Sequence, residues 1–178
     1  MSIYQKLGQL ATKFGGKHLF FKYGFNLSPM YRRSTARVTH VEKDLKSIRV
    51  KLPISYKNRN YVNSIFGGSM FSAVDPFPMT QLISLLGDDY VVWDKSAKIL
   101  FKRPAYENLF ATFSYTEAEI ESIKAQVAEQ NEIEFKRTNA LTNKTGEIVF
   151  CEVEKTLYVA DKAFFKAKRK ARKEQKRS

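Results

Sequence analysis

Apolar positions recur every three to four residues at the start of the chain and every second residue from position 35 onward. Ile3, Leu7, Leu10, Ala11 and Phe14 share one face of a predicted helix over residues 3–14, with Lys6 and Lys13 off that face. Gly15-Gly16 interrupts it, an apolar and basic stretch resumes from His18 to Phe25, and Ser28-Pro29 closes the segment. Ala36, Val38 and His40 then alternate with Thr35, Arg37 and Thr39, and Ile48, Val50 and Leu52 alternate with Arg49 and Lys51. With Glu42-Lys43-Asp44 between them, these runs predict a hairpin that ends at Pro53, before a polar loop from Tyr56 to Asn63.

Residues 67–86 carry Met70, Phe71, Val74, Phe77, Leu82, Ile83 and Leu86 at the spacing of a buried helix, which Gly87-Asp88 stops. Pro76 and Pro78 fall inside it, so either the helix kinks there or a first helix ends and Asp75-Pro76 starts another. Tyr90 to Trp93 leads into a strand over Ala97 to Phe101, broken by Arg103-Pro104, and Leu109 to Tyr115 alternates again. Thr116 with Glu119 has the spacing of a capping box and opens a polar helix to Glu129. Glu132 to Leu141 and Glu147 to Val159 read as two strands around a turn over 142–146. The predicted class is α+β, with one antiparallel sheet and a long helix against it.

A chain of 178 residues, 43% hydrophobic with 14 Phe and 9 Tyr, is one domain able to bury a core. The single cysteine, Cys151, excludes an internal disulfide, and two distant histidines, His18 and His40, give no reason to expect zinc. The sequence shows no leader pattern and no apolar run of membrane-spanning length, so a reducing cytoplasm is the expected compartment. Of the net charge of +13, residues 162–178 hold +8, nine Lys/Arg against Glu174, which leaves +5 for the body. Such a tail fits a solvated extension with no partner, the commoner case for a charge run, and fits also contact with an anionic membrane surface or nucleic acid. The expected boundaries are 1–30 for an N-terminal amphipathic helical segment, 31–161 for the domain and 162–178 for the basic tail.

The stretch from Asn60 to Asp75 carries the candidate chemistry. Gly67-Gly68 at a helix start lets backbone N–H groups approach a ligand closely, where the helix dipole favours negative charge. Asp75, two turns further on, supplies a base or nucleophile. Read on their own, Asp75 also fits an N-cap before Pro76, the glycines fit close packing of helix on sheet, and Asn60 fits a turn.

Asn60, Gly68 and Asp75 keep the spacings of a signature in which an Asn stands eight residues before the second Gly of His-Gly-Gly and an acid seven residues after it. The chain thereby resembles the phenylacetate-pathway type of acyl-CoA thioesterase, in the hotdog superfamily. Asn58-Arg59-Asn60-Tyr61, Asp75-Pro76-Phe77 and Val91-Val92-Trp93-Asp94-Lys95 are similar to an uncharacterised branch of it. The resemblance spans about residues 35–160 and departs from the pattern in having Phe66 where the family has His, and in Pro76 and Pro78.

What the resemblance implies is a hotdog fold, a curved antiparallel sheet wrapped around a long central helix, here with an extra N-terminal helix and the basic tail. It implies hydrolysis of an acyl-CoA thioester with no cofactor beyond the coenzyme A of the substrate. Asp75 would be general base or nucleophile, the Gly68 N–H would polarise the carbonyl, and Asn60 would hold the attacking water or orient Asp75. Phe66, Gly67, Met70 and Phe71 would line the substrate site, and Lys102 and Arg103, with Lys95 and Lys98, would attract phosphates. A homodimer or dimer of dimers is implied. The absent motif His favours the alternative, a non-catalytic protein that binds acyl chains or acyl-CoA.

Overall fold

The computed structural model describes residues 16–175; the helix expected over 3–14 lies outside them. The elements are α1 (Lys17–Leu27), α2 (Pro29–Arg32), β1 (Arg37–Val41), β2 (Ser47–Leu52), α3 (Gly67–Val74), α4 (Phe77–Leu86), β3 (Tyr90–Phe101), β4 (Leu109–Ser114), α5 (Glu117–Gln130), β5 (Glu132–Thr142), β6 (Val149–Asp161) and α6 (Lys162–Gln175). The strands form one antiparallel sheet in the order β1-β2-β4-β5-β6-β3.

The expected curved sheet around one long central helix is corrected on both counts. The sheet is open, with β1 and β3 as its edges, and β4 meets β5 at the single pair Phe110↔Thr142. The helix is two short helices in series. Pro76 and Pro78 have no N–H to donate to the carbonyls of Ser72 and Val74, so the ladder breaks between α3 and α4 although Asp75 and Pro76 keep right-handed helical dihedrals.

The hairpin β1–β2 pairs as its alternation predicts, except at Thr39. The register jumps between Val38 and His40, so the extra residue turns His40 outward and brings Val41 into the core. The capping box forms in full: Thr116 Oγ1 accepts from the Glu119 N–H at 3.2 Å, and Glu119 Oε2 accepts from the Thr116 N–H at 2.7 Å.

Two apolar clusters fill the interior. One joins α1, α3 and Phe77 to β1, β2 and β4 through residues such as Phe21, Tyr31, Val74, Ile48 and Phe113. The other joins the end of α4 to α5, β3 and β6 through Leu82, Leu86, Ile120, Val127, Leu157 and Val159. Leu85 packs against both.

Residues 162–175 of the basic tail form a continuous helix anchored at its start. Phe165 meets Trp93 edge-on at 5.0 Å, and Trp93 stacks on Tyr158 at 4.3 Å. Lys168 donates to both oxygens of Glu132, and residues 169–175 stand exposed. No described helix is long and apolar enough to cross a membrane.

Candidate functional site

A cleft of about 470 Å³ opens beside the first turn of α3, lined by Asn60, Ser64, Ile65, Gly67, Met70, Phe101, Lys102, Arg103 and Pro104. Five residues expected at the site from sequence, Asn60, Gly67, Met70, Lys102 and Arg103, therefore share one cavity wall. Phe66, Gly68, Phe71 and Asp75 are not among the residues that line it.

Each side chain in this group has a defined local setting. The Asn60 carboxamide is engaged within its own loop, with one Nδ2 hydrogen left over: Oδ1 accepts from the N–H groups of Val62 and Ser64 at 3.0 Å each, and Nδ2 donates to Ser64 Oγ at 2.8 Å. The loop is pinned beneath by buried Asn58, which donates to Thr35 Oγ1 and the Pro53 carbonyl. Phe66 is the N-cap residue of α3, more than half exposed, and makes no side-chain cap. Met70 is buried between cleft and core, and Phe71 is partly buried against the core. Lys102 pairs with Glu152 at 3.1 Å, whereas Arg103 is exposed and has no ion pair among the described residues.

Gly67 and Gly68 sit against rings. A Cβ on Gly67 would lie 2.7 Å from the Phe101 ring, and one on Gly68 would lie 2.2 Å from the Phe66 ring. Close packing of helix on sheet accounts for Gly67, whereas the ring over Gly68 belongs to the exposed N-cap residue of the same helix. The N–H groups of both glycines, in the first turn of α3, find no hydrogen-bond partner among the described residues, as the geometry of a helix start dictates.

Asp75 ends α3 as its C-cap and does not cap α4, whose N-cap is Pro76. Its side chain turns instead to Lys155 of β6. The Lys155 ammonium, 1% exposed, donates to Asp75 Oδ1 at 2.8 Å, to the Asp75 carbonyl at 2.6 Å, and to Asp94 Oδ2 on β3. Burial holds the Asp94 carboxyl above the usual carboxylate range against the opposing pull of Lys155. Asp94 Oδ1 is buried and accepts no hydrogen bond from the described residues.

Sequence reading missed Lys155 and Asp94 as site residues, although their phase was visible. Cys151, Val153, Leu157 and Val159 are the inward positions of β6, and Lys155 falls on the same alternation. Asp94 likewise follows Val92 on the inward phase of β3, just before the register shift at Lys95. Cys151 is no candidate nucleophile, since burial pushes its thiol up to about 11, where the thiolate is scarce at neutral pH. No group of three or more His, Cys, Asp or Glu among the described residues is arranged to hold a metal.

Solved structures share this architecture. A protein of unknown function and probable thioesterase from Pseudomonas aeruginosa is 19% identical with a TM-score of 0.68, over 84% of this chain and 95% of that one. A protein of unknown function from Chlorobaculum tepidum is 11% identical with a TM-score of 0.62, over 89% and 94%. A thioesterase from Haemophilus influenzae is 10% identical with a TM-score of 0.54, over 90% and 92%. At these identities the likeness shows the fold alone, a hotdog-like topology. No curated protein matches the sequence. Over residues 16–159 the sequence matches the family described as a domain of unknown function, DUF4442, and the chain belongs to that family.

Proposed function

We propose that the protein is an acyl-CoA thioesterase. Water adds to the thioester carbonyl, the C–S bond breaks, and coenzyme A leaves as the thiol while the acyl group leaves as a carboxylic acid. Asp75 takes the proton of the attacking water, or attacks the carbonyl itself to give a mixed anhydride that water then hydrolyses. The Gly68 N–H receives the developing oxyanion, an interaction worth about 3–4 kcal/mol when such a donor is removed elsewhere. Asn60 orients the water, Phe66, Gly67, Met70 and Phe71 face the acyl group, and Lys102 and Arg103 attract the phosphates of coenzyme A.

One observation supports this reading most directly. The cleft, with Ile65, Met70 and Phe101 beside Lys102 and Arg103, borders the first turn of α3 at Gly67, where the N–H groups are unpartnered among the described residues, and the helix ends on a carboxylate.

Within one chain Gly68 and Asp75 are separated by about 10 Å of helix rise, so a single carbonyl does not touch both. The site is then completed between two copies, one giving Gly68 and the other Asp75. The edge strand β3, twelve residues long with residues 95–98 exposed, supplies a surface for such pairing. A homodimer, or a dimer of dimers, in a reducing cytoplasm is the form this reading requires. Through α6, with seven Lys/Arg against Glu174, it would also meet an anionic surface such as a membrane or nucleic acid.

The test is free-thiol release from a panel of acyl-CoA esters by the wild type and Asp75→Asn. Turnover that collapses in the variant supports the reading, and a wild type that hydrolyses no ester overturns it. A second reading, a non-catalytic acyl or acyl-CoA binder, is favoured by two facts. The Phe66 ring packs over Gly68 in place of a hydrogen-bonding side chain, and the Asn60 carboxamide is already committed to its loop.

A further inference from the structure

The hydrolase reading makes no use of Lys155, the most deeply buried cation among the described residues. A lysine on the inward phase of a strand, between Val153 and Leu157, is costly to hold there. Desolvating an ammonium costs several kcal/mol, and replacing a whole buried ion cluster by apolar residues of similar volume is often neutral or stabilising. Its ammonium has three donors and finds three acceptors: Asp75 Oδ1, the Asp75 carbonyl and Asp94 Oδ2. Two of these belong to one residue, and that residue lies at the break between α3 and α4. The Asp75 carbonyl goes to Lys155 where an uninterrupted helix would offer it to the N–H four residues on. Asp75 Oδ2 accepts no hydrogen bond from the described residues, and its side chain is 44% exposed.

We propose that Lys155 is a positioning residue for Asp75, gripping Oδ1 and the carbonyl together so that Oδ2 alone is presented outward, with Asp94 fixing the lysine from β3. The inference rests on the hydrolase reading for its catalytic consequence, and the grip itself is a separate, testable matter. Held by two contacts at one end, the carboxylate has a single free oxygen in one orientation. That is what a base or nucleophile needs, since a misplacement of about 1 Å at a reacting centre can cost 100-fold in rate.

Lys155→Met and Asp94→Asn, each in the full chain, are the test, the second covering the case in which the first does not fold. The expected result for Lys155→Met is a fall in kcat of about 10- to 100-fold with KM within about twofold of wild type. In Lys155→Ala, small primary alkylammonium ions restore part of kcat, whereas tetramethylammonium, which has no N–H to donate, does not. Asp94→Asn shows a smaller fall of the same kind. Unchanged kcat in a folded Lys155→Met, or a loss carried by KM, overturns the proposal.

A second readout needs no turnover. The carboxyl carbon resonance of Asp75, assigned by its absence from Asp75→Asn, moves in Lys155→Met and moves less in Asp94→Asn. An unmoved resonance overturns the grip. Should the wild type hydrolyse no thioester while the resonance still moves, the hydrolase reading fails and the grip stands.

Discussion

Lys155 Nζ lies 2.8 Å from Asp75 Oδ1 and 2.6 Å from the Asp75 carbonyl oxygen, so one buried ammonium holds both the side chain and the backbone of the residue at which α3 stops. The proline break and the charge cluster are thus one local arrangement. Pro76 and Pro78 interrupt the helix ladder, and the lysine takes a carbonyl near the interruption.

Removing the lysine leaves two carboxylates, Asp75 and Asp94, facing one another without their cation. Deleting one partner of a buried pair costs about 3–5 kcal/mol, and the partial exposure of Asp75 places Lys155→Ala near 3 kcal/mol. Urea denaturation checks this; a change below about 1 kcal/mol would show that the pair contributes no more than an exposed one.

Anchoring of α6 is expected to depend on pH. Hydrogen bonds from Lys168, then from Tyr158, hold the Glu132 carboxyl below its usual range. A depressed carboxyl contributes stability that is complete above its unfolded value and is lost as pH falls through its lower folded value. The contact is therefore constant from pH 7 down to about 4.3, the ordinary glutamate value, and loosens below it. Trp93 fluorescence reports it, because Trp93 stacks on Tyr158 and meets Phe165. In Glu132→Gln the acid transition disappears.

Gly67→Ala places a methyl 2.7 Å from the Phe101 ring, which is about half exposed and free to swing. Gly67 is the first residue of α3, where alanine's helical advantage is smaller than its interior value of about 1 kcal/mol, so displacing the half-exposed ring lowers the melting temperature by only a few degrees. The ring is also a wall of the cleft. Binding of an acyl-CoA weakens about tenfold by calorimetry, equivalent to about 1.4 kcal/mol. Unaltered affinity would place the ligand elsewhere.

Thr116→Ala removes half of the capping box and lowers stability by about 1 kcal/mol in the same urea assay.

Much of this architecture was legible in advance where pattern and chemistry agree. The capping box, the hairpin runs, the turn between β5 and β6 and the mid-chain helical pattern all rest on local signals. His40 was misplaced because a bulge adds one residue to a strand without any mark in its alternation. The helix junction offered two readings, a kink or a second helix started by Asp75-Pro76; two short helices form, with Asp75 as the C-cap of the first and Pro76 as the N-cap of the second. Lys155 and Asp94 were passed over because charges on strands ordinarily face solvent; their inward phase shows only beside the apolar neighbours that share it. The anchoring of α6 was hidden for the opposite reason, since Phe164 and Phe165 stand within a run dominated by lysine and arginine.

The most direct test of Asp75 as the catalytic carboxylate of a thioesterase is the rate of free-thiol release from acyl-CoA esters by the purified wild type and its Asp75→Asn variant. Turnover well above the uncatalysed rate is expected for at least one ester, falling at least 100-fold in a variant that remains folded. Equal turnover by the two proteins would remove Asp75 from the chemistry, and no turnover by the wild type on any ester would contradict the thioesterase assignment itself.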